Sequence, residues 1–308
     1  MFGTPILFIV FNRPDTAAKV FERIRAAQPK RLYIAADGPR QHMPEDAENC
    51  RKTRAIVSQV DWECEVKTLF REENLGCGVA PAQAITWFFN HVEQGIILED
   101  DCFPDLSFFS FCETLLNYYH DDEWVMHISG NNFQLGRQIG DGSYYFSQIA
   151  HIWGWATWRR VWNQFSFNLN NLETFIEKNT ELDPFWIDSF RYVQKEQPKD
   201  IWDCQYNYVL FKNAGKAIMP NINLVTNIGF NEDATHTKGA VLYYYNQDFG
   251  SINHIRHPTI NTINKAADQF TVDTYYVQKN TLAIKIRYNI KRIKDKIFRT
   301  FCKRQIPA

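Results

Sequence analysis

Along the first hundred residues the hydrophobic pattern switches between unbroken apolar runs and apolar positions spaced three and four apart. Residues 5–11 (PILFIVF) are an unbroken run, which predicts a strand buried on both faces. It stops at Asn12-Arg13-Pro14-Asp15, where Pro14 and Asp15 are helix-start residues. Ala17, Val20, Phe21 and Ile24 then share one face and predict a helix over 16–27. A second strand (32–36) ends at Asp37-Gly38-Pro39, and a second helix covers about 45–60. A third strand (66–70) runs into the loop Arg71-Glu72-Glu73-Asn74-Leu75-Gly76, followed by a helix over 81–91. Next, Ile96-Ile97-Leu98 leads straight into Glu99-Asp100-Asp101. Strand and helix alternate three times before those acids, which predicts an α/β fold: a mostly parallel sheet with right-handed crossovers, flanked by helices.

Beyond the acids the pattern predicts an aromatic-rich helix over 103–119 and strands at 124–129, 144–146, 216–220 and 223–226. A polar helical stretch covers 168–200, and a helix covers 201–211. The stretch 151–162 (HIWGWATWRRVW) holds four of the nine tryptophans and reads as a loop, and a polar loop at 229–238 contains His236.

The acidic triplet falls where its strand leaves the sheet, on the usual ligand side of an open α/β sheet. Adjacent carboxylates repel one another. A hard divalent cation, held by one or two carboxylates and by substrate phosphates, relieves that repulsion; the plainer reading is a solvated acidic turn. Three other strand ends also gather polar residues: Asn12 with Arg13, Asp37, and Arg71 to Gly76. Together the four can line one crevice. Each has an ordinary reading, since Arg13 fits a surface helix start, Asp37-Gly38-Pro39 is a good turn, tryptophans usually pack in cores and His236 fits a plain loop. The joint arrangement points to a site. The first three strands carry neither GxGxxG nor GxxxxGK[ST], which disfavours a dinucleotide fold and a P-loop. The remaining option is a nucleotide held by side chains, with its diphosphate on a metal.

Composition narrows the partners. The net charge of -1 over 308 residues gives no global signal for nucleic acid. Seven scattered cysteines without paired spacing argue against a zinc site or a disulfide framework, and favour a reducing, cytoplasmic setting. The chain starts without a charged leader, and no apolar stretch reaches the roughly 18 residues needed to span a bilayer. Residues 279–304 hold ten lysines and arginines against Asp295 alone. Leu282, Ile286, Ile290, Ile293, Ile297 and Phe301 share one helical face there. A basic amphipathic helix of this kind suits an anionic membrane surface, or packs on the domain with its basic side in water.

Over residues 4–240 the ordered set of motifs resembles the GT-A glycosyltransferases, especially the inverting, metal-dependent N-acetylglucosaminyltransferase I type. It is also similar to a group of bacterial sugar transferases. Glu99-Asp100-Asp101 with the following Phe103-Pro104-Asp105-Leu106-Ser107-Phe108-Phe109 matches the acidic metal motif. Phe11-Asn12-Arg13 matches the segment that touches base and ribose, and Asp37 the carboxylate that reads the uracil edge. Arg71 with Asn74-Leu75-Gly76 is similar to the donor-side loop, and Trp153-Gly154-Trp155 to the glycine–tryptophan loop beside donor sugar and acceptor. Ile201-Trp202-Asp203 resembles the segment of the catalytic base, and Gly229 to His236 the late loop whose histidine lies near metal and diphosphate. Where the family often has two adjacent acids, this chain has Trp202 before Asp203, so Asp188 and Asp233 stand as alternative bases.

The resemblance implies a GT-A domain over 1–240 and a C-terminal extension over 241–308. It also implies Mn2+ or Mg2+ on Asp101 and His236, and a nucleotide-sugar donor, UDP favoured, held by residues from Phe11 to Trp155, with Glu99 and Asp100 among them. Asp203 is then the base that activates a hydroxyl of a glycan or lipid-linked glycan acceptor. Three rivals remain: a nucleotidyltransferase, whose glycine-rich basic loop is missing from residues 8–15; a glycoside hydrolase with two carboxylates; and a carbohydrate-binding protein without catalysis.

Overall fold

The computed structural model describes residues 2–229 and 249–277. The first half alternates as the pattern predicts: β1 (Ile6–Val10), α1 (Pro14–Ala27), β2 (Arg31–Ala36), α2 (Pro44–Val57), β3 (Glu65–Phe70), α3 (Gly76–Phe89) and β4 (Gln94–Glu99). β1, β2 and β4 are buried along nearly their whole length, as strands covered on both faces must be. β3, at the sheet edge, is largely exposed. There follow β5 (Cys102–Pro104), α4 (Leu106–Tyr118), β6 (Val125–Ser129), β7 (Tyr144–Ser147), β8 (Trp155–Trp158) and α5 (Arg159–Trp162). Then come α6 (Leu172–Lys178), α7 (Pro184–Glu196), α8 (Asp203–Lys212), β9 (Lys216–Pro220), β10 (Val225–Asn227) and α9 (Lys265–Thr271), which runs into a π-helical turn over Val272–Tyr276.

One eight-stranded sheet has the order β3-β2-β1-β4-β8-β6-β9-β7. β3, β2, β1 and β4 are parallel neighbours. β8 runs against both β4 and β6, β9 runs with β6, and β7 closes the far edge in the reverse sense. All strands but β7 and β8 thus point one way, and the fold is α/β with a mostly parallel sheet flanked by helices. The C-terminal ends of β1, β2, β3, β4 and β6 share one edge. Beside it β10 pairs antiparallel with β5 in a small second sheet.

Four elements depart from the pattern, the first being β5 over Cys102–Pro104, where a helix start is predicted; Asp105 caps α4 only after it. The tryptophan-rich stretch is no simple loop: Trp155 to Trp158 is a strand seated between β4 and β6. Four residues are too few to show a period, and all four are buried. α3 starts at Gly76 rather than at Pro81, with the proline inside the helix at the cost of one backbone hydrogen bond. The polar stretch 168–200 splits into α6 and α7, because Asp183 caps a new helix by accepting from the Phe185 N–H, and Pro184 opens it.

The main core fills the space around the sheet, and a second core gathers Trp186, Phe190, Tyr208, Phe211 and Val272. Residues 249–277 are built into both, through Ile252 and Ala267 in the first and Val272 in the second. Asp268 fastens this segment to the end of β7 by accepting from Ser147 Oγ at 2.6 Å and Gln148 N at 2.9 Å. The expected boundary at residue 240, His236, Asp233 and the basic stretch 279–304 lie outside the described residues. No helix among the described residues is long and apolar enough to cross a membrane.

Candidate active site

The acids leave β4 beside the end of β1, where Ile9 pairs with Glu99. Asp100 is buried and accepts from the Phe11 N–H at 3.0 Å, which ties the acidic turn to the β1 loop. Arg13 donates to Asp101 Oδ2 at 2.8 Å and lies 3.7 Å from Asp100 Oδ1. Burial and the neighbouring aspartates push Glu99 up to about 8. Burial and Asp101 likewise raise Asp100.

Asp37, at the end of β2, has both oxygens committed to the loop after β3. It accepts from Asn74 Nδ2 at 2.9 Å and from the Leu75 and Gly76 N–H groups at 3.1 Å. These bonds hold the loop after β3 against the end of β2. Asn12 is also engaged, donating to Asp46 Oδ1 at 2.6 Å, and Arg40 pairs with the same carboxylate. Phe11 is half-buried with the Arg40 guanidinium over its ring. Arg71 is half-buried at the end of β3, its guanidinium within reach of the Asp37 charge.

The tryptophan turn divides in two. Gly154 adopts φ +61°, and a β-carbon there would lie 2.8 Å from Val225 Cγ2 and 3.1 Å from Leu98 Cδ2, so the turn seats directly on β4. Trp153 is half-buried. Trp155 is fully buried, stacked on His127 and Trp202. The expectation that Trp155 contacts a donor is therefore corrected: the paired β4 and β6 strands enclose it in the core.

Asp203 opens α8 and is half-buried; burial raises its carboxyl, opposed by the Cys204 and Asp203 backbone N–H groups. Its charge is felt by Glu99, which places both carboxyls in one electrostatic neighbourhood. Gly78 of α3 makes this possible, because a β-carbon there would meet Lys199 O at 2.4 Å and Ile201 N at 2.8 Å. Trp202 is a core residue, which accounts for the missing second acid. Asp188, an alternative base, lies within α7.

The acidic site fits a divalent cation of a particular kind. One guanidinium, Arg13, faces Asp100 and Asp101, and burial, followed by those two aspartates, raises Glu99. Among the described residues no three His, Cys, Asp or Glu side chains converge into a metal cage. Clustered carboxylates are a donor set that a hard divalent cation suits. Gly229, at the start of the late loop, lies against Asp101: its β-carbon would fall 2.5 Å from Oδ2, and the Ile228 N–H donates to Asp101 O at 2.8 Å.

Nothing in the sequence pattern singles out Gly78, Asp46 or Gly130. The polar pair Asn131-Asn132 has one signal, a Gly-Asn-Asn run directly after an apolar strand.

No family model and no curated protein matches the chain. Among solved structures it overlaps in part with HddC from Yersinia pseudotuberculosis, at 10% identity over 55% of this chain and 85% of that one, with a TM-score of 0.32. It overlaps with an apo UDP-glucose pyrophosphorylase at 9% identity over 70% and 89%, TM-score 0.37. A third overlap is with 4-diphosphocytidyl-2C-methyl-D-erythritol synthase from Anaerococcus prevotii, at 7% identity over 70% and 98%, TM-score 0.33. At these scores the overlap carries no argument about activity.

Proposed function

We propose that the chain is a metal-dependent, inverting glycosyltransferase. It moves a sugar from a nucleotide-sugar donor, with UDP favoured by the resemblance at Asp37, to a hydroxyl of a glycan or lipid-linked glycan. One observation carries the reading. The same sheet edge holds an under-compensated acidic cluster, Glu99 to Asp101 with Arg13, and a separate carboxyl of raised pKa, Asp203.

Division of labour follows from those environments. Asp203 accepts the proton of the acceptor hydroxyl, a task suited to a carboxylate whose basicity is raised by burial. The hydroxyl oxygen forms a bond to the anomeric carbon as the bond to the diphosphate oxygen breaks. That electron pair leaves with the nucleoside diphosphate, and the configuration inverts. Asp100, anchored by the Phe11 N–H, fixes the acidic turn against the β1 loop. Arg13 turns its charge toward the leaving phosphates. Asp101, with His236 as the resemblance implies, would hold a Mn2+ or Mg2+, which would supply Lewis-acid neutralisation of the leaving group. The basic stretch 279–304 brings the protein to an anionic membrane surface from the cytoplasmic side, where a lipid-linked acceptor resides.

The test separates binding from transfer. Asp101→Asn is expected to abolish cation-dependent nucleotide binding. Asp203→Asn is expected to retain binding while slowing sugar transfer by about 10²–10⁴-fold. A nucleotidyltransferase would instead release pyrophosphate from a nucleoside triphosphate and sugar phosphate and be indifferent to Asp203. That result would replace the proposal.

A further inference from the structure

The described residues contain a group of buried polar atoms that the reading above leaves unused. It lies at the C-terminal end of β6, in the run Ser129-Gly130-Asn131-Asn132-Phe133, and at His151 before β8. Asn131 is 1% exposed and His151 4% exposed. Neither the amide oxygen nor the amide nitrogen of Asn131 has a hydrogen-bond partner among the described residues, and the His151 ring finds only the Asn131 backbone. A buried donor or acceptor left unmatched costs about 1–3 kcal/mol. The unmatched atoms on these neighbouring groups call for a ligand or for ordered water.

Their place in the sheet links them to the donor site. Trp155 of β8 pairs with Ile97 of β4 on one side and with Ser129 of β6 on the other. The residues that follow, Leu98 to Asp101 and Gly130-Asn131, leave the sheet at the same edge. Two inter-strand spacings, about 10 Å, separate the two strands. A nucleotide sugar with its diphosphate at the acids has its sugar within that reach. The gap is bridged tightly, since Gly130 N donates to Gly154 O at 2.7 Å and Gly154 packs on Leu98. The Asn131 backbone lies beside the His151 ring. Phe133 packs 4.6 Å from that ring and 5.2 Å from Trp153, whose partial exposure marks the side that meets solvent.

We infer that Asn131 and His151 are the polar floor that reads the hydroxyl groups of the transferred sugar, with the half-buried Trp153 as its aromatic wall. The inference rests on the donor-site reading above. The chemistry selects a neutral polyol over an anion. Burial lowers the His151 imidazole to about 3, so it stays uncharged and offers one donor and one acceptor. The Asn131 amide offers the same pair, and hydroxyl groups match both. The half-buried Trp153 ring beside them suits the apolar face of a sugar ring, while Phe133 is stacked on Tyr275.

Calorimetric titration with Mn2+ present, and no acceptor, tests the inference. UDP is compared with UDP-glucose, UDP-galactose and their N-acetylamino counterparts. Wild-type protein is expected to bind one nucleotide sugar at least about tenfold tighter than UDP. In Asn131→Leu and His151→Phe that advantage disappears while UDP affinity stays within about twofold. Asn131→Ser, the smaller polar change, retains part of it and guards against a variant that does not fold. If the advantage survives in folded variants that merely melt lower, the atoms are bridged by buried water and the inference is overturned. Equal binding of UDP and every UDP-sugar by wild type overturns it as well, with the donor site intact. No binding of UDP by wild type overturns the donor-site reading itself.

Discussion

Glu99 is the residue in which the electrostatics of the site are most concentrated. Its pKa of about 8 lies far above an ordinary glutamate because burial and two adjacent aspartates disfavour its charge. The sign of the consequence is fixed. Between the unfolded value near 4.5 and the folded value near 8, the native state holds the proton that the unfolded chain has lost. Stability therefore falls as pH rises through that window, with a slope of at most about 1.4 kcal/mol for each step of one in pH. In EDTA, melting temperatures of the wild type are expected to decline from pH 5 to pH 8, and Glu99→Gln is expected to flatten the decline. Parallel profiles for the two proteins would refute the assignment. At this scale the sequence was partly legible. The acids, Asp37 and Arg13 stood out because charged residues directly after apolar runs mark strand ends. Which atom each one touches was not legible. Asp37 is committed to the 74–76 loop, and Trp155 to the core, through neighbours more than thirty residues away in the chain. Asn131 has only the Gly-Asn-Asn run after an apolar strand as a signal and His151 has none, so both gain meaning mainly from the partners they lack.

Among elements, α8 and its approach to α3 decide where the proposed base sits. The segment before α8 lies against Gly78 so closely that a single methyl group has no room, with Lys199 O 2.4 Å from the added carbon. Gly78→Ala is expected to push residues 199–203 outward. Stability should drop by about 1–3 kcal/mol, a typical cost of overpacking, and transfer should fall further than nucleotide affinity. Comparing melting curves and nucleotide titrations with transfer rates on the same preparation checks this; an equal loss of binding and transfer would contradict it. The first seven elements were readable from the sequence because buried parallel strands and amphipathic helices have opposite periods. β8 was not readable, since a four-residue strand between two others shows only that it is apolar. The break between α6 and α7 was signalled by Asp183-Pro184 but hidden in a stretch that is polar only in patches and shows no clear interruption of its apolar positions.

For the whole molecule, the sheet order puts the ends of β1, β2, β4 and β6 on one edge, and β10 with Gly229 lies across it. That edge is where the acids, Arg13, Asp203, Gly154 and the Asn131–His151 group are found. The central claim is that the edge binds a nucleoside diphosphate through a divalent cation. Thermal denaturation with UDP, GDP or CMP, each in Mn2+ and in EDTA, tests it most directly. Ligand at about 100 times its dissociation constant stabilises by roughly 2.7 kcal/mol. For a chain of this size each kcal/mol moves the midpoint by about 2–4 °C or somewhat less. A rise of several degrees is expected with UDP in Mn2+, and it vanishes in EDTA and in Asp101→Asn. A flat response to all three nucleotides in Mn2+, at concentrations up to several millimolar, would contradict it.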